Sequence, residues 1–140
     1  MVDNLTKQKE EMAKFQEAEM LKHLDLKYKN EIIRSMEWLG EKEDTIFLGQ
    51  SVKYSGNAMY NTTKTIPEDK LVELPVFEDV QMGMSLGMAY EGFVPITSYP
   101  RFDFLICATN QLVNHLDKIN IISEGQFQPR VIIRTSIDRR

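Results

Sequence analysis

The stretch Leu71-Val-Glu-Leu-Pro-Val-Phe-Glu-Asp-Val-Gln-Met-Gly-Met-Ser-Leu-Gly-Met-Ala-Tyr-Glu-Gly92 decides how the rest of the chain is read. It opens as a short strand over 71–74, turns sharply at Pro75, presents the acidic pair Glu78 and Asp79, and continues as a helix carrying Gly83 and Gly87. Residues four apart share a helix face, so these glycines form a smooth strip on which another backbone can lie closely. Glu78 stands at the start of that helix, where the aligned peptide dipoles favour an ionised carboxylate unless burial opposes it.

Upstream of this unit, Thr45-Ile-Phe-Leu-Gly49 reads as a buried strand. Between 50 and 66 the pattern is lost among Tyr54, Gly56, Asn57, Tyr60 and Asn61, which predicts a polar, glycine-bearing loop of the kind that often carries function. Before the strand, Tyr28, Ile32, Met36 and Leu39 recur at the helical period, Ile33 widens the stripe, and Gly40 is placed as a stop. Residues 1–27 are rich in Lys, Glu, Gln and Met. Their apolar Met12, Phe15, Ala18, Leu21 and Leu24 recur every third residue, so the stripe winds round the helix instead of holding one face. This predicts a helical arm that either docks on something or remains a solvated helix, and the charge run from Lys7 to Glu11 fits a solvated face.

Downstream, Phe93-Val-Pro-Ile-Thr-Ser-Tyr99 reads as a strand in which Pro95 favours the first residues or an edge. Phe104, Leu105, Ala108, Leu112, Val113 and Leu116 predict one amphipathic helix, and residues 131–134 a last strand. Helices alternate with short strands at spacings too long for hairpins. That order predicts an α/β fold, a mostly parallel sheet flanked by helices, with the helical arm at 1–27 and one domain over 28–140.

A chain of 140 residues suits a single domain, and its 42% hydrophobic and 27% charged residues are those of a globular protein. A net charge of -4 and a pI near 5.2 argue against nucleic acid as a partner, and Arg139-Arg140 is too small a patch to change that. No apolar run reaches membrane-spanning length, and the charged N-terminus is unlike a secretory signal, so the expectation is a cytoplasmic chain without a membrane. Asn61-Thr62-Thr63 matches a glycosylation sequon and, without secretion, reads as ordinary loop.

Cys107 is the sole cysteine; it is placed on the apolar side of its helix and read as inert packing. His23 and His115 lack companion ligands, so no metal site is expected, and His115 reads as an exposed or half-buried helix residue. Met82, Met84 and Met88 read as core or interface filler.

From Tyr28 to Arg134 the order of parts resembles the pyrimidine-binding domain of the thiamine diphosphate enzymes. Within the transketolase group the likeness is to the beta subunit of the first component of 2-oxo acid dehydrogenases. The matching pieces are Thr45-Ile-Phe-Leu-Gly-Gln-Ser-Val52, Leu74-Pro-Val-Phe-Glu78, Gly83, Gly87, Gly92-Phe-Val-Pro-Ile96, Phe102-Asp-Phe104, Asn110-Gln111, Asn114, Lys118, Ser123-Glu-Gly125 and Val131-Ile-Ile-Arg134. No single piece is specific; their order and spacing are.

The resemblance implies that Glu78 hydrogen-bonds a ring nitrogen of the cofactor's aminopyrimidine. A carboxyl there promotes the imino tautomer, whose nitrogen removes the thiazolium proton. It also implies that Phe104 stacks on the pyrimidine with Phe102 in support. Read without the resemblance, both rings are core residues opening a helix. The resemblance also places Gln50 among the cofactor-binding residues, at a position where the family usually has an acid, so the second carboxylate near the pyrimidine is missing. Phe77 is bulkier than the family's residue before the glutamate, and Asp79 adds a like charge beside Glu78 that would raise its pKa if both were buried.

The family's domain continues beyond the position of Arg134, with an active-site histidine, and in beta subunits a C-terminal domain follows. The expectation is therefore a truncated pyrimidine-binding domain. The family's Gly-Asp-Gly stretch and metal-binding Asn are also missing here, so the resemblance implies a partner subunit that binds the diphosphate and holds the magnesium. It further implies a homo- or hetero-oligomer, with the glycine helix against a partner domain. The rival expectation is a non-catalytic assembly or structural module that retains the fold.

Overall fold

The computed structural model describes residues 2–137, so Arg139-Arg140 lies outside the described residues. The chain divides into two compact units, Met1–Arg34 and Ser35–Arg140. Helix α1 (Val2–Gly40) makes up the first and opens the second. In the first unit Met12, Phe15, Met20, Leu21, Leu24, Leu26 and Tyr28 are all exposed, as a winding stripe requires. Lys7 and Glu11 are exposed as well; the side chains of the run between them lie outside the described residues. Arg34 pairs with Glu31 at 3.1 Å on the surface, a contact worth little in water.

The second unit is built on a four-stranded, all-parallel sheet in the order β2-β1-β3-β4, with β1 Thr45–Gly49, β2 Leu71–Glu73, β3 Val94–Tyr99 and β4 Ile132–Thr135. Phe47 lies opposite Leu71 on one side and Ile96 on the other, and Ile96 opposite Ile132. Parallel neighbours need crossovers, and those crossovers supply the flanking helices. Pro95 is the second residue of the interior strand β3. Val94 N–H bonds Asp44 O toward β1, so by alternation the Pro95 nitrogen faces the other side, where β4 begins only opposite Ile96.

The end of α1 is closed by the sheet. Thr45 Oγ1 donates to Leu39 O at 2.6 Å and to Lys42 O at 2.9 Å, and Lys70 Nζ also donates to Lys42 O. Gly40 is the last helical residue and serves close approach: a Cβ there would meet Ile66 Cδ1 at 2.9 Å.

The region 50–66, expected as loop, contains a short helix, α2 (Ala58–Thr63). Its signal was present in Asn57, whose side chain accepts from the N–H groups of Met59 and Tyr60 as an N-cap. Helix α3 (Glu78–Tyr90) follows β2 as expected. The amphipathic helix expected over 104–116 is instead a chain of short turns: α4 (Phe102–Leu105), a 3-10 turn (Ile106–Ala108), a π-helical turn (Gln111–Leu116) and then α5 (Ile119–Ile122). Thr109 Oγ1 bonds back to Ile106 O at 2.6 Å, and Asp117 N–H reaches five residues back to Leu112 O. These changes of pitch rotate the apolar stripe. Ala108 enters the core, whereas Cys107 is exposed, which corrects its reading as buried packing.

Gln81 of α3 bonds Thr97, while Arg134 bonds Thr62 of α2 at 2.8 Å. Thr97 and Ser98 point to opposite faces, and Ser98 is paired with Arg134 in register. Helices α3 and α2 therefore cover opposite faces of the sheet. Beneath α3, Met82, Tyr99 and Ala108 form a fully buried cluster enclosed by Leu105, Leu116 and Ile133.

Candidate functional site

In an open parallel sheet, ligand sites form beyond the carboxyl ends of the strands, where successive connections leave in opposite directions. With the order β2-β1-β3-β4 that point lies between β1 and β3. Gln50 follows β1, Glu78 follows β2, and Phe102 and Phe104 follow β3, so all four residues singled out in the sequence stand at the same end of the sheet.

The structure brings two of them into direct contact. Gln50 and Glu78 are both buried, and Gln50 Nε2 donates to Glu78 Oε1 at 3.2 Å. No hydrogen bond from another described residue engages Glu78 Oε2, and it is not among the buried polar atoms lacking a partner. Glu78 is the first residue of α3, next to Phe77, whose side chain offers no cap to the helix. Acidic residues in the first turn suit the positive end of that helix.

Asp79 is engaged from elsewhere: its Oδ2 accepts from Gln111 Nε2 at 3.3 Å, and its Oδ1 is buried without a partner. The Gln111 side chain lies over Gly83, where a Cβ would meet it at 3.6 Å. Gly87 has nothing within 4 Å of such a Cβ, so no backbone among the described residues lies on the glycine strip.

Phe104 is half-buried and Phe102 exposed, and the Arg101 guanidinium carbon sits 5.2 Å from the Phe104 ring centroid, a cation–π contact. Neither ring belongs to the buried cluster under α3. Asn110, Asn114 and Lys118 form an exposed i,i+4 ladder, with bonds of 3.0 and 3.2 Å. His115 is exposed.

Three further residues shape the site. Glu73, at the end of β2, accepts three successive backbone N–H groups, from Ser51 at 2.5 Å, Val52 at 2.9 Å and Lys53 at 2.8 Å. It fixes the turn that carries Gln50, including Ser51 at a left-handed φ of 57°. Gln81 is fully buried; its Nε2 donates to Thr97 Oγ1 at 2.8 Å and Ser98 O at 3.1 Å, and its Oε1 is without a partner. Tyr99 is fully buried, and its phenol donates to the Glu78 carbonyl at 3.3 Å. Burial above all, with added repulsion from Glu78 and Asp79, pushes that phenol up to about 12 against a hydrogen-bonding pull from Thr97. The sequence offered one signal for Glu73, a charged residue inside an apolar strand; for Tyr99 and Gln81 the signal was polarity at otherwise apolar positions.

A pyruvate dehydrogenase E1 component subunit beta from Gracilaria tenuistipitata var. liui is 30% identical over 99 residues, 67% of this chain and 30% of that protein. The corresponding subunit from Cyanidium caldarium is 28% identical over 102 residues, 70% of this chain and 31% of that protein. The chain is a relative of pyruvate dehydrogenase E1 beta subunits. A chloroplastic beta subunit of Oryza sativa subsp. japonica, 29% identical over 103 residues, belongs to the same group. The matches span about 30% of the length of the first two E1 beta relatives. No profile of a known protein family matches the chain. None of its described helices is long and apolar enough to cross a membrane.

The donor set at the strand ends fits one half of thiamine diphosphate. Glu78 supplies a carboxylate oxygen unengaged by the described residues, in a buried setting, and half-buried Phe104 supplies an aromatic face. Among the described residues no group of three His, Cys, Asp or Glu side chains could hold a metal ion.

Proposed function

We propose that this chain is the pyrimidine-binding part of a thiamine diphosphate-dependent enzyme acting on a 2-oxo acid or a ketose, and that a partner subunit carrying the diphosphate and magnesium completes the site. The pyruvate in the names of its relatives favours a 2-oxo acid. The observation that carries the reading is the buried Gln50–Glu78 pair at the carboxyl end of the sheet. Glu78 holds the aminopyrimidine through Oε2 while Gln50 engages Oε1. Phe104 stacks on the ring through the face opposite Arg101, and Phe102 supports it. When bound, the cofactor supplies a carbanion and an electron sink for decarboxylation. The chain's own part is to orient the pyrimidine and stabilise the tautomer that takes up the thiazolium proton.

The open surface at Gly87 on the glycine helix is assigned to the partner domain, in a homo- or hetero-oligomer, and the residues 1–27 are read as an arm distinct from the domain over 28–140. The setting proposed is the cytoplasm. Replacing Glu78 with Gln in the complex recovered with its partner abolishes turnover and leaves the fold intact on this reading; retained turnover contradicts it.

The exposed apolar residues of the first unit, Phe15 and Leu24 among them, favour a second reading as a non-catalytic assembly module. On that reading the assembly depends on the arm and no thiamine diphosphate is retained with the natural partner.

A further inference from the structure

Four polar groups join the first turn of α3 to the end of β3. Gln81 Nε2 donates to Thr97 Oγ1 at 2.8 Å and to Ser98 O at 3.1 Å. The phenol of Tyr99, two residues further along β3, donates to the carbonyl of Glu78 at 3.3 Å. Glu78 and Gln81 are three residues apart on α3, and Thr97 and Tyr99 two apart on β3, so each pair shares a face of its element. Two separate hydrogen bonds, Gln81 to Thr97 and Tyr99 to Glu78, therefore tie the first turn of α3 to one face of β3.

We propose that Tyr99 is a positioning residue for Glu78: its phenol fixes the Glu78–Asp79 peptide plane on β3 and so aims the Glu78 carboxylate at Gln50. This rests on the reading of Glu78 as the site carboxyl. Helical geometry already gives the Glu78 carbonyl one partner, the N–H four residues on, and the phenol takes its second lone pair. The bond is therefore surplus to the helix and constrains its orientation. Phe would fill the same volume without a polar atom to satisfy, so the hydroxyl is what ties this ring to the Glu78 carbonyl. Tyr99 is fully buried between Met82 and Ala108, so the ring is locked and the hydroxyl is delivered to a fixed point. The Gly49 backbone permits this closure: a Cβ there would stand 3.1 Å from Gln81 Nε2 and 2.2 Å from Ser98 O.

The test is nitrogen-labelled NMR of the full chain, reading the side-chain amide peak of Gln50, assigned by its loss in Gln50→Met. Tyr99→Phe is expected to move that peak most of the way toward the position of exposed Gln126, while the Gln81 amide peak holds and the melting temperature changes little. Thr97→Val moves the Gln50 peak in the same direction, and Thr97→Ser, which keeps the hydroxyl, leaves it in place. An unmoved Gln50 peak in Tyr99→Phe overturns the proposal. If that variant does not fold, equal Gln50 peaks in Thr97→Val and Thr97→Ser overturn it. Addition of 4-amino-5-hydroxymethyl-2-methylpyrimidine to the unaltered chain tests the underlying reading separately. A silent Gln50 peak then counts against Glu78 as a pyrimidine ligand, and the variants still decide whether Tyr99 positions it.

Discussion

The Gln50 amide nitrogen donates to Glu78 Oε1 across 3.2 Å, tying the end of β1 to the first turn of α3. An amide brings a donor and no charge, so the buried pair has no proton to share. Gln50→Glu replaces it with two carboxylates that cannot both ionise cheaply, so one carboxyl pKa is raised in the folded variant. A group with a raised folded pKa contributes most below its unfolded value, about pH 4.3 for Glu, and that contribution is lost as pH rises through the folded value. The variant's melting temperature is therefore expected to lie near that of the unaltered chain at acid pH and to fall progressively below it toward pH 8. A gap independent of pH contradicts this account of the pair.

Glu73 holds Ser51, Val52 and Lys53 by their backbone N–H groups. Charge-assisted bonds of this kind are worth more than neutral ones, and Glu73→Gln turns one acceptor oxygen into a donor facing N–H groups. A loss of about 2 kcal/mol is expected in urea denaturation. Because the turn carries Gln50, the same variant should disturb the Gln50 side-chain amide peak. Unchanged stability would show that water replaces the carboxylate without cost.

Two glycines separate backbone necessity from an open surface. At Gly49 the φ of 144° and the Ser98 carbonyl, 2.2 Å from a built Cβ, leave no room for alanine. Gly49→Ala is expected to destabilise by about 3 kcal/mol or more, through strain and displacement of β3. Gly87 is helical and open, so Gly87→Ala should stabilise the isolated chain by about 1 kcal/mol through helix propensity. The same substitution should weaken assembly if a partner backbone lies on the strip. Calorimetric melts of the two variants, with a size measurement of the complex, check both halves.

Tyr99 sets an alkaline limit on stability. Its phenol ionises near pH 10 in the unfolded chain and is pushed up to about 12 in the fold by burial. Between those values the unfolded chain loses a proton that the folded chain keeps, so stability falls as pH rises through that window. The contribution is fully present below pH 10. Tyr99→Phe should flatten this alkaline loss, as read from denaturation midpoints at pH 9 and pH 11. An equally steep loss in the variant assigns it to other groups.

The frame of the second unit was legible because its signals were local. Thr45 to Gly49 was a compact apolar run, Pro75 marked the turn, and the acidic pair marked the start of α3. The likeness to E1 beta subunits followed from the order of those pieces. What escaped depended on changes of helical pitch or on tertiary partners. The spacing from Phe104 to Leu116 fitted one helix, yet the backbone changes pitch there through a 3-10 and a π-helical turn, and Cys107 is exposed. Gln50 was legible as a cofactor-binding position that lacks the usual acid; that its amide points at Glu78 required the packing of β1 against α3. The bonds from Gln81 to Thr97 and from Tyr99 to the Glu78 carbonyl join residues 16 and 21 apart, beyond the reach of any local pattern.

The central claim is that this chain supplies the pyrimidine half of a shared thiamine diphosphate site. Native mass spectrometry of the complex recovered from its own source, with the full chain as bait, tests it most directly. The account predicts a partner with a diphosphate-binding domain and a measured mass that includes thiamine diphosphate and magnesium. Recovery of only further copies of this chain, or of proteins without cofactor, contradicts it and leaves Glu78 a carboxylate without a pyrimidine to hold.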